Sequence, residues 1–313
     1  MIGSALIKVF RKTYRLLIPA ITVIILYSRS EIAFAKSPFQ FKASVGAEHD
    51  SNVSVNELDS NTAQGDNLAS LGADLSYKTR LNKKFTISAN VGVDQTLHHT
   101  FDNFDLQIRK ASSGLSYKQD KTTFGLTGYY IDITLGNNDF LTIRNLSPSI
   151  SHNFTSQSFI RANFTAADKS FSGRSERDAE SGAVGLDYYY FMSGTNHYIS
   201  LGIKYKQEDS LSSIFDYDGN TFKVRWIKSI EAFNKKTKLR IGWSFENRDY
   251  NDAFSAGDER RHDDRNKAFI AWKVPFNKNT NVTFKYEYAD FTSTLQAADY
   301  LQHTTSITFD FAS

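Results

Sequence analysis

The sequence predicts an all-β fold, a transmembrane antiparallel up-and-down β-barrel of about 14 strands. Three observations carry this. Segments of alternating polar and apolar residues recur from Phe39 to the chain end. Most of them run about 12 to 17 residues, well beyond the five or six usual in soluble strands. Tight turns alternate with longer polar connections, as expected when turns face the periplasm and loops face outside.

In chain order, residues 1–35 come first and differ from all that follow. Lys8, Arg11, Lys12 and Arg15 precede a near-uncharged run from Leu16 to Tyr27, and Ala33-Phe34-Ala35 closes it. This reads as a secretory signal peptide cut after Ala35. An apolar run of about 12 residues is short of the roughly 20 that a membrane-spanning helix needs. Its removal takes five of the 37 Lys and Arg and one of the 34 Asp and Glu, leaving 32 against 33. The mature chain is therefore near neutral and keeps no basic stripe for nucleic acid. Cysteine is absent, which excludes an acylated lipoprotein terminus, a disulfide framework and a thiolate metal site together.

Residues 36–313 read as one barrel domain. Strands are expected at 39–49, 67–81, 85–98, 105–119, 122–135, 140–154 and 158–171, then at 179–192, 197–209, 217–233, 237–250, 261–276, 280–294 and 300–311. Their alternation is plain in Phe85, Ile87, Ala89, Val91 and Val93 against Thr86, Ser88, Asn90, Gly92 and Asp94. Turn signals fall at Asn82-Lys83-Lys84, Asp120-Lys121, Ser156-Gln157, Ser193 to Asn196, Asn234-Lys235-Lys236 and Asn277-Lys278-Asn279. Longer polar connections lie between them, including Asp50 to Asn67, Gly136 to Asp139 and Asn251 to Arg260. An even count returns the last strand to the first, which leaves no unpaired edge in lipid. Phe41, Phe85, Phe124, Phe159, Tyr198 and Phe276, near the turn side, read as one interfacial girdle.

The last strand places Leu301, His303, Thr305, Ile307, Phe309 and Phe311 on one face and Gln302, Thr304, Ser306, Thr308 and Asp310 on the other. Phe309 and Phe311 are the expected assembly signal for the barrel assembly machinery, although Ala312 and Ser313 follow them. Outer-membrane lipids and lipopolysaccharide are the expected surroundings.

On the polar faces, the candidate pore-lining residues are Lys42, Lys78, Lys204, Lys206, Lys223, Arg225, Lys238, Arg240 and Lys285, with Asp74, Asp94, Asp187, Glu246 and Glu287. Such a wall is either a solvated set of cross-strand pairs or a field that selects anionic or sugar-like solutes. The connection from Asp50 to Asn67 either folds inward as a constriction or stays on the surface. The charge run Asp258 to Arg265 is either solvated or a contact for lipopolysaccharide phosphates or a protein. No enzyme is expected: His98 and His99 near Asp94 and Asp102 offer a general-base pairing, but no serine stands in a nucleophile context and no metal spacing occurs. No cofactor is implied.

At the first strand, Gly46-Ala47-Glu48-His49-Asp50-Ser51-Asn52-Val53 resembles the G-x-x-x-D-S-N-V opening of a group of proteobacterial barrels. That group includes the barrel domain of surface lipoprotein assembly modifiers and related porin families of polysaccharide-export loci. Arg260 to Arg265, Pro275-Phe276, Tyr286-Glu287-Tyr288 and Phe309-Asp310-Phe311 are similar as well. The resemblance implies an outer-membrane barrel that helps move a lipoprotein, or in the related families a polysaccharide, to the surface of a Gram-negative cell. Full-length modifiers carry a helical tetratricopeptide-like domain before the barrel, and these 313 residues hold no 34-residue helical repeat. The size also resembles compact monomeric porins for small hydrophilic solutes.

Overall fold

The computed structural model describes residues 38–253 and 259–313. The expected signal peptide lies outside the described residues, as does Asp258 in the charge run. Among the described residues the main strands are β1 (Phe39–Asp50), β2 (Asp66–Arg80), β3 (Phe85–His98), β4 (Leu106–Gln119), β5 (Thr122–Leu135), β6 (Asn138–Asn153) and β7 (Ser158–Phe171). They continue as β8 (Ala179–Ser193), β9 (His197–Ser210), β10 (Tyr217–Ala232), β11 (Lys235–Tyr250), β12 (His262–Pro275), β13 (Thr280–Ser293) and β14 (Tyr300–Ala312). Each pairs with its neighbours in sequence, and β1 pairs with β14, so the sheet closes on itself. Every strand lies within about two residues of its expected position, because the period-two pattern stops where the turn residues begin.

Closure is antiparallel, with Val45 opposite Phe309 and Glu48 opposite Ser306. The two residues after Phe311 extend the seam: the Ser313 amide donates to the Phe41 carbonyl at 3.0 Å. One connection departs from the sequence reading. Gly136 to Asp139 was expected to be a longer loop, but only Gly136 and Asn137 form the turn, at φ 54° and 64°. Both residues tolerate that left-handed backbone, which matches the twist of a two-residue hairpin. Asn138 and Asp139 are polar yet belong to β6.

Paired residues share a face, so the registers divide inside from outside. Val45, Leu71, Val91, Val184, Ile203 and Phe309 lie on the outer face and are exposed, as lipid contact requires. Lys42 lies opposite Asp74, Asp74 opposite Gly92, and Gly92 opposite Lys110, a continuous inward row over four strands. A side chain at Gly92 would collide with Asp74 and Lys110. The bare backbone there lets Lys110 reach Asp94 at 2.6 Å and Asp74 at 3.2 Å.

The expected girdle holds in part. Phe41, Phe85 and Phe124 are exposed on the outer face, and Phe276 is exposed in a turn. Phe159 and Tyr198 instead face the lumen: Phe159 pairs with Tyr189, Tyr189 with Ser200, and Ser200 with Arg225. Their parity with Arg161 and with Lys204 carries this, since residues two apart share a face.

Candidate functional site

The loop from Ser51 to Gly65 is the main structure at the outer mouth. It leaves β1 at the motif Asp50-Ser51-Asn52, and each of these residues is tied locally or to β14. The Asn52 amide donates to Asp50 Oδ1 at 2.9 Å, and Gln302 Nε2 donates to Asp50 Oδ2 at 2.7 Å. The His303 amide donates to Ser51 Oγ at 2.8 Å, and the Ser51 amide donates to the His303 carbonyl at 2.9 Å. Gln302 also reaches the Asn52 carbonyl at 3.0 Å. The motif thus closes the barrel seam at its outer end and turns the chain inward, with Val53 1 % exposed.

Beyond it, Ser54–Val55 pairs with Ser60–Asn61 around the short 3-10 turn Asn56–Leu58. Val55 and Leu58 pack against Phe140, Leu141 and Phe171, an apolar cluster from β6 and β7. Phe140 is the extra residue of a β-bulge, since Thr134 pairs with Asp139 and Ile133 with Leu141. A bulge re-aims the side chain it carries.

Polar contacts complete the seat. Lys169 Nζ lies 3.0 Å from Glu57 and 3.1 Å from Glu208. Arg177 bonds Asp59 at 3.1 Å and the Glu57 carbonyl at 3.0 Å. Arg261 meets the other Asp59 oxygen at 2.7 Å and also grips Asp263 at 2.7 and 2.8 Å. Asn61 donates to the Ala297 carbonyl at 2.7 Å, and Tyr300 donates to Asn56. Because these partners come from β7, the β7–β8 loop, the approach to β12 and the approach to β14, the loop crosses the outer mouth. Of the two readings left open by the sequence, the structure selects the inward one.

Burial raises the Asp59 carboxyl, but bonds and charge from Arg261 and Arg177 outweigh this and hold it below the usual carboxylate range. Arg261 is correspondingly held above the usual guanidinium value, burial opposing and its two aspartates prevailing.

The same contacts correct the reading of part of the charge run. Arg261, Asp263 and Arg265 are neither solvated nor free for lipopolysaccharide; they are 3 %, 1 % and 8 % exposed and pair with one another and with the loop, whereas Glu259, Arg260 and His262 are exposed. The histidine pairing weighed from the sequence is not formed either. His98 lies 3.3 Å from Asp105, while Asp94 is held by Lys110. Among the described residues no cluster of three metal-ligating side chains occurs.

The half of the lumen next to the tight turns is built differently. The registers put Lys204, Lys206, Lys223, Arg225, Lys238, Arg240 and Lys285 on the inner face, together with Asp187, Glu246 and Glu287. Lys78 lies inward opposite Ser88. Toward the outer mouth these charges are engaged: Lys206 with Glu208 and the Tyr217 hydroxyl, and Glu246 with Arg248. From mid-strand toward the turns, Lys223, Arg225, Lys238 and Arg240 form no ion pair among the described residues, and Lys285 is paired with Glu287 at 2.7 Å. Phe159, Tyr189, Phe191 and Tyr198 form an aromatic group beside them, with ring centroids 5.5 to 6.4 Å apart.

Seven strands around the ring, β4 and β5 present Ser112, Gly114, Ser116, Thr123, Gly125 and Thr127. A cationic wall therefore faces one rich in hydroxyls, interrupted on β4 by the inward Lys110 and Lys118. The sequence showed the inward lysines one strand at a time, but not that β9 to β12 gather them on one side.

Comparisons with known proteins agree with this architecture. Among solved structures, OmpT of Vibrio cholerae, an outer membrane protein in trimer form, aligns with a TM-score of 0.53 and 10 % identity, covering 88 % of this chain and 99 % of that one. CymD, a monoaromatic hydrocarbon channel, aligns with a TM-score of 0.50 and 7 % identity, covering 89 % of each chain. At such identity the likeness is one of fold. No curated protein matches the chain. The profile of the surface lipoprotein assembly modifiers matches residues 39–311, from the start of β1 into β14. A barrel closed across its outer mouth by a loop that the Asp50-Ser51-Asn52 motif anchors, matched from end to end by that profile, belongs to the surface lipoprotein assembly modifier family.

Proposed function

We propose that this outer-membrane barrel serves export, assisting a surface lipoprotein across the outer membrane after its own signal peptide has been removed. The observation that carries this is the extent of the family match, which runs over the whole barrel. The lumen suits export, because its outer mouth is spanned by a docked loop while its turn-side half offers unpaired cations and aromatic rings to a segment entering from the periplasm. No bond is made or broken in this reading. The barrel assembly machinery reads Phe309 and Phe311, and lipids and lipopolysaccharide surround the wall.

The test is deletion of the gene with whole-cell protease accessibility of the strain's lipoproteins. Loss of surface exposure of at least one lipoprotein, restored by the wild-type barrel, is expected. Unchanged exposure of all of them would overturn the reading.

A second reading, a passive channel for small hydrophilic solutes, is favoured by the hydroxyl-lined wall of β4 and β5. It requires steady ion conductance from the purified wild-type barrel. A third, polysaccharide export, requires loss of a surface glycan in the same deletion strain.

A further inference from the structure

A cavity of about 480 Å³ opens inside the turn-side half of the lumen, between β9 and β13. Arg225, Arg240 and Lys285 bring three cations to it and Glu287 one carboxylate, while Tyr198 and Phe269 line it with aromatic rings, Lys285 Nζ lying 5.8 Å from the Phe269 ring centroid. Glu287 is already taken by Lys285 at 2.7 Å. Arg225 and Arg240 have no carboxylate partner among the described residues, and Arg240 Nε is buried with no hydrogen-bond acceptor at all. Native interiors rarely leave such a donor unmet without a ligand or water to meet it.

The apolar side is held in place. The Phe269 ring lies over Gly242, where any side chain would collide with it. Tyr198 is packed on Phe191 at 5.5 Å and on Tyr189 at 6.4 Å. A guanidinium presents a planar fork that matches two oxygens of one anion, and two forks beside ring faces select an oxyanion with a flat or apolar carrier. The volume lies within the range of small-molecule sites.

We propose that this cavity is a binding subsite for an organic oxyanion, a phosphate or carboxylate on a flat or apolar group. Arg225 and Arg240 hold the oxygens, and Tyr198 and Phe269 pack against the carrier. The site shares its cations and rings with the lumen surface invoked for export, but it is read by direct binding of small probes, so failure of this proposal and failure of the export reading are distinguishable.

Isothermal titration calorimetry of the folded barrel in detergent tests it, with phenyl phosphate, benzoate and inorganic phosphate as probes. Saturable binding of phenyl phosphate or benzoate in the millimolar range or tighter is expected, with inorganic phosphate several-fold weaker. Combining Arg225→Gln with Arg240→Gln should weaken binding by about tenfold or more. Lys78→Gln, across the lumen, should leave it unchanged. Arg240→Lys, which keeps the charge and loses the fork, should give an intermediate value and covers the case in which the double variant fails to fold. No saturable heat with either organic probe, equal affinity for inorganic phosphate, or full affinity in the folded arginine variants would overturn the proposal.

Discussion

The two halves of the lumen use the same residue types to opposite ends. At the outer mouth, Lys169, Arg177 and Arg261 each face carboxylates at 2.7 to 3.1 Å and hold the loop from Ser51 to Gly65 across the opening. From mid-strand to the turns, Lys223, Arg225, Lys238 and Arg240 line the wall with no ion-pair partner among the described residues. The difference teaches that the charge count of a lumen says little: a paired, buried cation is a structural fastening, and an unpaired one facing the lumen is a field for something else.

The largest effect should come from breaking that contrast at a buried fastening. Lys169→Met leaves Glu208 buried beside one fewer cation and should destabilise the folded barrel by about 3–5 kcal/mol. Lys223→Met, from the unpaired half, should shift stability by no more than about 0.5 kcal/mol. Urea unfolding in lipid vesicles measures both, and equal losses would erase the distinction between the halves.

On the lipid side of the turn-side end, Phe309→Ser and Phe311→Ser should each lose roughly 1.5–3 kcal/mol of apolar burial in the bilayer. Together they should lower the amount of assembled barrel in outer-membrane fractions. Normal levels would show that β14 needs no aromatic for assembly.

A smaller effect is expected from pH, acting on the mouth alone. Asp59 titrates below its ordinary value of 3.8, so it stabilises the docked loop at every pH above that value. The contribution is lost as pH falls through the depressed docked value. Conductance should therefore stay flat from neutral pH down to about 4 and rise only below it. A rise between neutral pH and that point would assign the seat to other groups. The smallest effect should be on selectivity: Lys223→Gln should reduce anion preference modestly without changing loop docking, read as a reversal-potential shift in asymmetric salt.

Much of this was legible in the sequence, and the reasons for the remainder are physical. Strand positions and the faces of β14 followed from a period of two, which survives any tertiary context. The inward placement of Phe159 and Tyr198 follows from the same parity, against the rule that aromatics near strand ends mark a lipid interface. The loop's destination was not legible. Glu57 meets Lys169 112 positions away, and Asp59 meets Arg261 202 positions away. Only closure of the ring brings those residues together. The same holds for the cavity, where Arg225, Arg240 and Lys285 come from three strands. Pro148 shows a local rule modified: the β6 ladder to β7 skips residues 147 and 148, and Ser147 Oγ instead donates to the Phe164 carbonyl at 3.0 Å.

The most direct test compares wild type with Asp59→Ala in planar bilayers. The closed outer mouth predicts low conductance for the wild type, and a several-fold larger, anion-preferring conductance once Arg177 and Arg261 lose their shared carboxylate. A wild-type barrel that conducts as freely as the variant, or a variant whose open state prefers cations, would contradict the division of the lumen into a fastened outer half and a cationic inner one.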